Sequence, residues 1–373
     1  MGTDAVAALT RDEVAAAIER RRPPRIPLVL ARWWGEGLVE QYGERLRGFD
    51  GVPDDAAMLL VDLFEPDRLG LPWYDPSAHS GEALDSVTVL SDWGRLGELV
   101  DHLPRPEGHG ALLEDLAGRV RAARASDRYV LFGWWRLFFE RPWQLRGMAN
   151  LMMDYFDRPD EVHRLHAALC DAYVAWVEAA SEAFHPDGFW TSDDLGNQRQ
   201  LMMSPAQFRE FLLPYYHRVG AACRRAGMHF WLHSCGNNTE VLGDLADAGL
   251  HVFHPVQKHT MDDGAVAARH GDRLTFLVGF DVQQTLQQGT PSDVRAEVRR
   301  LVDTFDRPGG GMCMAAGNGI VAGTPFENIE AFLDEAVNYG FAHRREMNAL
   351  RPSGVRAPAP PADADARWQR RSR

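Results

Sequence analysis

Apolar residues along this chain gather into eight short runs of strand length, separated by longer stretches with helical periodicity. The runs cover 26–31, 56–62, 129–132, 189–192, 229 onward, 251–254, 274–279 and 311–316. Polar residues cluster just after each run. Strand-length runs alternating with helical patterns imply a parallel α/β fold. Eight such units favour a closed (β/α)8 TIM barrel, whose site is built from the C-terminal ends of its strands. Thr10 and Glu13 form a capping-box pattern ahead of a short helix that Pro23-Pro24 stops. Helical patterns are expected over 145–183 with a break near Arg158-Pro159, from the Ser204-Pro205 cap to about Arg225, and over 327–339. Residues 71–90 read as an excursion with a short hairpin. The chain therefore divides into an N-terminal helix (1–22), a barrel (23–345) and a Pro-, Ala-, Asp- and Arg-rich tail (351–373) expected to be disordered.

Composition narrows the function. The 373 residues are 45% hydrophobic, enough for one large core. A formal charge of −13 argues against a nucleic-acid partner, because nothing here could neutralise a row of phosphates. Lys258 is the single lysine, so Schiff-base chemistry is nearly excluded. Four scattered cysteines do not make a disulfide framework and suit a reducing compartment. The first residues lack an apolar signal core, and no apolar run approaches membrane-spanning length, so a soluble, cytoplasmic protein is expected. The nucleotide-binding glycine motifs are absent.

The stretch HFWLHSCGNNTE (229–240) carries the sharpest chemistry. Its apolar run delivers His233 and Cys235 to a strand tip at alternate positions, hence on one side. With a third donor from elsewhere, such a pair takes zinc. The other reading is a buried thiol and a capping histidine beside a helix opened by 236–239. Glu240, His254 or Asp281 are possible further donors. Asp193 and Asp194 could act as acid–base groups, orient a ligating histidine, or cap a helix. Asp281 has the same balance, and Gln198 suits a substrate hydrogen bond. The pairs Trp33-Trp34 and Trp134-Trp135 follow two strands. Neighbours on a strand face opposite ways, so one member of each packs the core and the other lines a pocket for a flat aromatic or methylated substrate. Trp33 and Trp134 are the members expected to face it.

Four segments resemble the uroporphyrinogen decarboxylase superfamily: DDLGNQ (193–198) with LMMSPAQFREFLLP, HSCG (233–236), GFDVQQTLQQGTPSDVRAEV (279–298) and GNGIVAGTPFENIEAF (317–332). The resemblance implies a TIM barrel of the uroporphyrinogen decarboxylase/methionine synthase type. It also implies one of two chemistries, decarboxylation or zinc-dependent methyl transfer with corrinoid or thiol partners. The decarboxylases open with Arg-x-x-Gly-Arg; the corresponding residues here run from Arg32 to Glu36, so one substrate-clamping cation has become an anion. Their Gly-His-Gly near the last strand is Gly317-Asn318-Gly319 here, and their serine aligns with Asp193. Asp62 matches their catalytic aspartate. The methyltransferase pattern, His-x-Cys plus a later cysteine, is met by His233 and Cys235, with Cys313 as the candidate third ligand and Asn318 in the turn where the family places it. The expected function is therefore a zinc-dependent methyltransferase acting with a corrinoid (on a partner protein or as substrate), a thiol or an aryl methyl ether. A decarboxylase is the alternative, and a non-catalytic tetrapyrrole- or corrinoid-binding protein a third; a homodimer would be unsurprising.

Overall fold

The computed structural model describes residues 6–79 and 87–349. Part of the expected hairpin (80–86) and the tail (351–373) lie outside them. Seven parallel strands form one sheet in chain order: β1 (Ala56–Leu60), β2 (Tyr129–Trp134), β3 (Gly188–Ser192), β4 (His229–His233), β5 (Val252–His254), β6 (Thr275–Phe280) and β7 (Met312–Ala316). Helices connect them, giving a barrel-like α/β fold. Each strand coincides with one of the apolar runs, because a sheet covered on both faces needs apolar residues at every position.

The first run departs from expectation. Residues 26–31 form no regular strand but make a single parallel bridge, Leu28 to Met314. Pro27 has no N–H to give, and Leu30 sits at φ +58°, outside the extended region. The segment still links the sheet's two edges. Val29 donates to the Met314 carbonyl (3.0 Å), Met314 to Pro27 (2.9 Å), and Asp55, just before β1, donates to Leu28 (2.8 Å). The Asp55 carboxylate, fully buried, fastens the same place: it pairs with Arg25 at 2.6 Å and accepts the backbone N–H groups of Leu9 and Leu28.

Alternation along the strands sorts side chains into two clusters. Val29, Ala56, Leu131, Trp190, Trp231, Val252, Leu277, Cys313 and Ala315 fill the interior together with Val14, Ala17 and Ile18. The last three belong to helix Arg11–Ile18, whose capping box (Thr10 with Glu13) forms as expected, so this helix closes the floor. Alternate strand residues, such as Phe132, Trp134, Phe189, Phe230 and Phe276, pack outward against the helices. The expected break at Arg158-Pro159 separates helices Met148–Asp157 and Pro159–Ala183. The helix after the Ser204 capping box passes through a π turn at 208–212, where Leu213 donates back to Phe208 and Pro214 follows without a donor. Among the described residues no helix is long and apolar enough to cross a membrane.

Candidate metal centre at the mouth of the sheet

Strand parity builds the site. On β3 and β4, Trp190 and Trp231 point inward, and so do the residues two and four further on: Asp194 beyond β3, His233 and Cys235 at the tip of β4. One donor atom from each of Asp194, His233 and Cys235 lies within 4.8 Å of the others. Among the described residues no other group of three such side chains comes together. His233 Nε2 is 3.4 Å from Cys235 Sγ and 3.7 Å from Asp194 Oδ1, while the Cys235 N–H donates to Asp194 Oδ1 at 2.8 Å. Bonds of about 2.3 Å to sulfur and 2.0–2.1 Å to nitrogen place the donors of a tetrahedral zinc roughly 3.5 Å apart, which the nitrogen–sulfur separation meets. The donor set fits zinc. Burial, then the charges of Asp194 and Glu140, push the Cys235 thiol well up. Burial likewise lowers His233, so its imidazole is held neutral.

The loop carrying Cys235 is fixed from behind. The buried Asn238 amide donates to the carbonyls of Ser234, Cys235 and Gly236, and Gln257 accepts the Gly236 N–H at 2.8 Å. The expected helix start at 236–239 is thus a turn, and the helix begins only at Leu242. Gly236, at φ +80°, passes so close to Gly196 that an added Cβ would meet its carbonyl at 2.2 Å. Behind these three side chains, His254 Nδ1 lies 2.7 Å from His233 Nδ1, and its Nε2 faces the Ala316 carbonyl at 3.2 Å. His254 therefore stands behind His233 and is not itself a third donor.

Two tryptophans wall the mouth. Trp33 and Trp135 stack at 5.9 Å, and both present an edge relation to His233, at 6.1 and 5.9 Å. Trp134 is the core member of its pair, buried against Phe64, Tyr173 and Phe189, so Trp135 and not the expected Trp134 faces the pocket. Trp34 packs on Phe49. Arg32 turns the same way, 3.5 Å from Asp50. The loop bearing Trp33 is held by paired backbone bonds to Ile320.

Other expected residues fall elsewhere. Cys313 is fully buried in the interior cluster with Val14 and Ile18 and is not in the Asp194–His233–Cys235 group. The charges that act on it are Asp55 and Asp306, both at the N-terminal ends of their strands, opposite the mouth. Asp193 points outward and caps helix Glu140–Arg146. It accepts the N–H groups of Phe138, Phe139 and Glu140 and the Tyr216 hydroxyl at 2.7–3.0 Å, and burial pushes it to about 6. Asp281 caps the turn at Thr285. Burial works to raise it, but hydrogen bonds from Thr285, Gln283 and Gln284 hold it below the usual range. It lines, with Cys235, Pro255, Gln257 and Asn318, a cleft of about 330 Å³. Asn318 brings its amide to 4.0 Å from Cys235 Sγ. Asp62 and Gln198 are exposed. Nothing local in the sequence marks Glu140. Burial, then Asp194 and Asp193, raise it to about 8, and Ser192 donates to it at 2.7 Å.

Residues 142–339 match the family model described as uroporphyrinogen decarboxylase. The chain is 27% identical to uroporphyrinogen decarboxylase of Xanthomonas axonopodis pv. citri over 338 residues, covering 81% of this chain and 90% of that protein. It is 27% identical to that of Methylibium petroleiphilum over 331 residues, covering 80% and 81%. A solved methyltransferase from Methanosarcina mazei is similar in fold, with a TM-score of 0.61 at 17% identity, covering 89% of this chain and 99% of that one.

Proposed function

The chain belongs to the uroporphyrinogen decarboxylase family, a family of enzymes, and within it we propose a zinc-dependent methyltransferase. The observation that carries this reading is the convergence of Asp194, His233 and Cys235 at the mouth. Asp194 takes the place expected for Cys313, and Asn318 stands beside the thiol in the turn where the methyltransferase pattern has its third ligand. Zinc bound there would lower the pKa of a thiol substrate or polarise a methyl-bearing oxygen. Trp33 and Trp135 supply an apolar wall for a methylated or aromatic group. Glu36 replaces the second substrate-clamping cation of the decarboxylase pattern, which disfavours a polycarboxylate. The methyl carrier on this reading is a corrinoid, free or on a partner protein, or an aryl methyl ether.

Freshly purified protein should contain about one zinc per chain, and methyl transfer from methylcobalamin or an aryl methyl ether to a thiol should stop when zinc is removed and return when it is restored. Transfer by the zinc-free protein would overturn the reading. The names of the curated relatives and the retention of Asp62 favour a second reading, decarboxylation. Release of CO2 from uroporphyrinogen by the zinc-free protein would select it. Tight corrinoid binding without turnover would select a non-catalytic carrier.

The tryptophan pairs give a separate check. Trp135→Ala should weaken substrate binding about tenfold while leaving the fold intact. Trp134→Ala should instead lower stability by about 3–5 kcal/mol, as for a large aromatic removed from a packed core. Substrate titration and urea unfolding of both variants measure the contrast.

A further inference from the structure

His233 and His254 meet nitrogen to nitrogen, Nδ1 to Nδ1 at 2.7 Å, with 5% and 0% of their surfaces exposed. One proton must lie between them. At the far side of His254, Nε2 faces the Ala316 carbonyl oxygen at 3.2 Å. A carbonyl oxygen only accepts, so His254 Nε2 carries a hydrogen. A neutral imidazole holds one hydrogen, which leaves Nδ1 of His254 as a lone pair. The shared proton therefore belongs to Nδ1 of His233, and Nε2 of His233 is bare. That bare nitrogen is the atom facing Cys235 Sγ and Asp194 Oδ1. The opposite assignment would set two lone pairs against each other at Ala316.

The rings have little freedom to escape this arrangement. Trp33 and Trp135 close on His233 from the mouth, and Trp190 lies 5.9 Å from His254 inside the sheet. The neighbouring backbone is tied as well: Ser234 donates its N–H to the His254 carbonyl at 2.8 Å.

We propose that His254 is a positioning residue, which passes the Ala316 carbonyl's demand for a hydrogen through its own ring and so locks His233 with Nε2 open to a cation. The metal role rests on the function proposed above; the lock itself does not. Ligating histidines are commonly oriented by an acceptor on their other nitrogen, and losing that acceptor costs about 10–100-fold in metal affinity. Here the acceptor is a second histidine, itself oriented by a backbone carbonyl contributed 62 positions later in the chain.

The test is nitrogen NMR of 15N-histidine-labelled, metal-free protein, followed by cobalt(II) and zinc titration against a chelator. Wild-type His233 should carry its proton on Nδ1. His254→Leu should release His233 to the Nε2–H form and weaken cobalt and zinc binding 10–100-fold, in line with the loss of an outer-shell acceptor. His254→Asn keeps an acceptor at the δ position and should recover the Nδ1–H form and most of the affinity. A wild-type His233 protonated on Nε2, or a folded His254→Leu protein with unchanged tautomer, overturns the proposal. If the leucine variant does not fold, the wild-type spectrum and the asparagine variant decide. An Nδ1–H signal in a protein that takes up no metal upholds the lock and sinks the zinc reading.

Discussion

Asp193→Ala is expected to destabilise the fold by about 4 kcal/mol or more, whereas Asp194→Ala leaves the melting temperature within a few degrees and removes tight metal binding. Asp193 is fully buried and satisfies three backbone N–H groups at the start of helix Glu140–Arg146 together with the Tyr216 hydroxyl. Each buried donor left without an acceptor costs about 1–3 kcal/mol. Asp194 is half-exposed and accepts one N–H, that of Cys235, so its loss strands little. On the proposed reading it is a direct donor and should matter more to the metal than an outer-shell partner, whose loss costs roughly 10–100-fold. Urea unfolding and chelator competition separate the two. A stable Asp193→Ala protein without metal, beside an unfolded Asp194→Ala, would reverse the assignment.

Gly133→Ala should yield no folded protein. Gly133 sits in β2 opposite Trp190 of β3, and an added Cβ would lie 1.7 Å from the Trp190 carbonyl oxygen. That neighbour is backbone in the middle of the sheet, so neither strand can yield without breaking its ladder. The loss should exceed about 5 kcal/mol, at the far end of what single substitutions do. Gly118→Ala is the control. It lies in helix Gly110–Ala125 with only the end of the Arg121 side chain near, at 3.7 Å, and should gain about 0.5–1 kcal/mol. Expression level, circular dichroism and thermal unfolding distinguish the pair. A cooperative melt for Gly133→Ala near that of the parent would show that β2 and β3 can part enough to admit a methyl group, and would overturn this prediction.

What could be read from the sequence follows from which forces are local. Seven strands were legible because burial on both faces leaves continuous apolar runs. The first run has the same apolar content and reads as a strand too, but Pro27 and the positive φ of Leu30 limit its pairing to one bridge. Alternation says that adjacent tryptophans divide between core and mouth, and the same rule separates Asp193 from Asp194 in the structure. It does not say which goes where, since the phase of a strand is set by its neighbours; hence the sequence alone does not distinguish Trp134 from Trp135 or Asp193 from Asp194. His233 and Cys235 were legible, being two apart on one tip. Cys313 was proposed from spacing in a related pattern, and it falls on the interior near the floor. His254 and Glu140 were beyond reach as positioning and buried-acid groups, because what defines them are Ala316, Ser192 and Asp194, all distant in sequence.

Helix Arg11–Ile18 seals the end of the sheet opposite Asp194, His233 and Cys235, with Val14, Ala17 and Ile18 seated among the interior side chains. Among the described residues the open end is the doorway flanked by Trp33 and Trp135, and on the proposed reaction both reactants and products would pass there. A docked carrier protein would stand in that doorway. On the proposed reaction the small thiol must then either enter before the carrier arrives or wait until it leaves, and the order of addition becomes a property of the architecture.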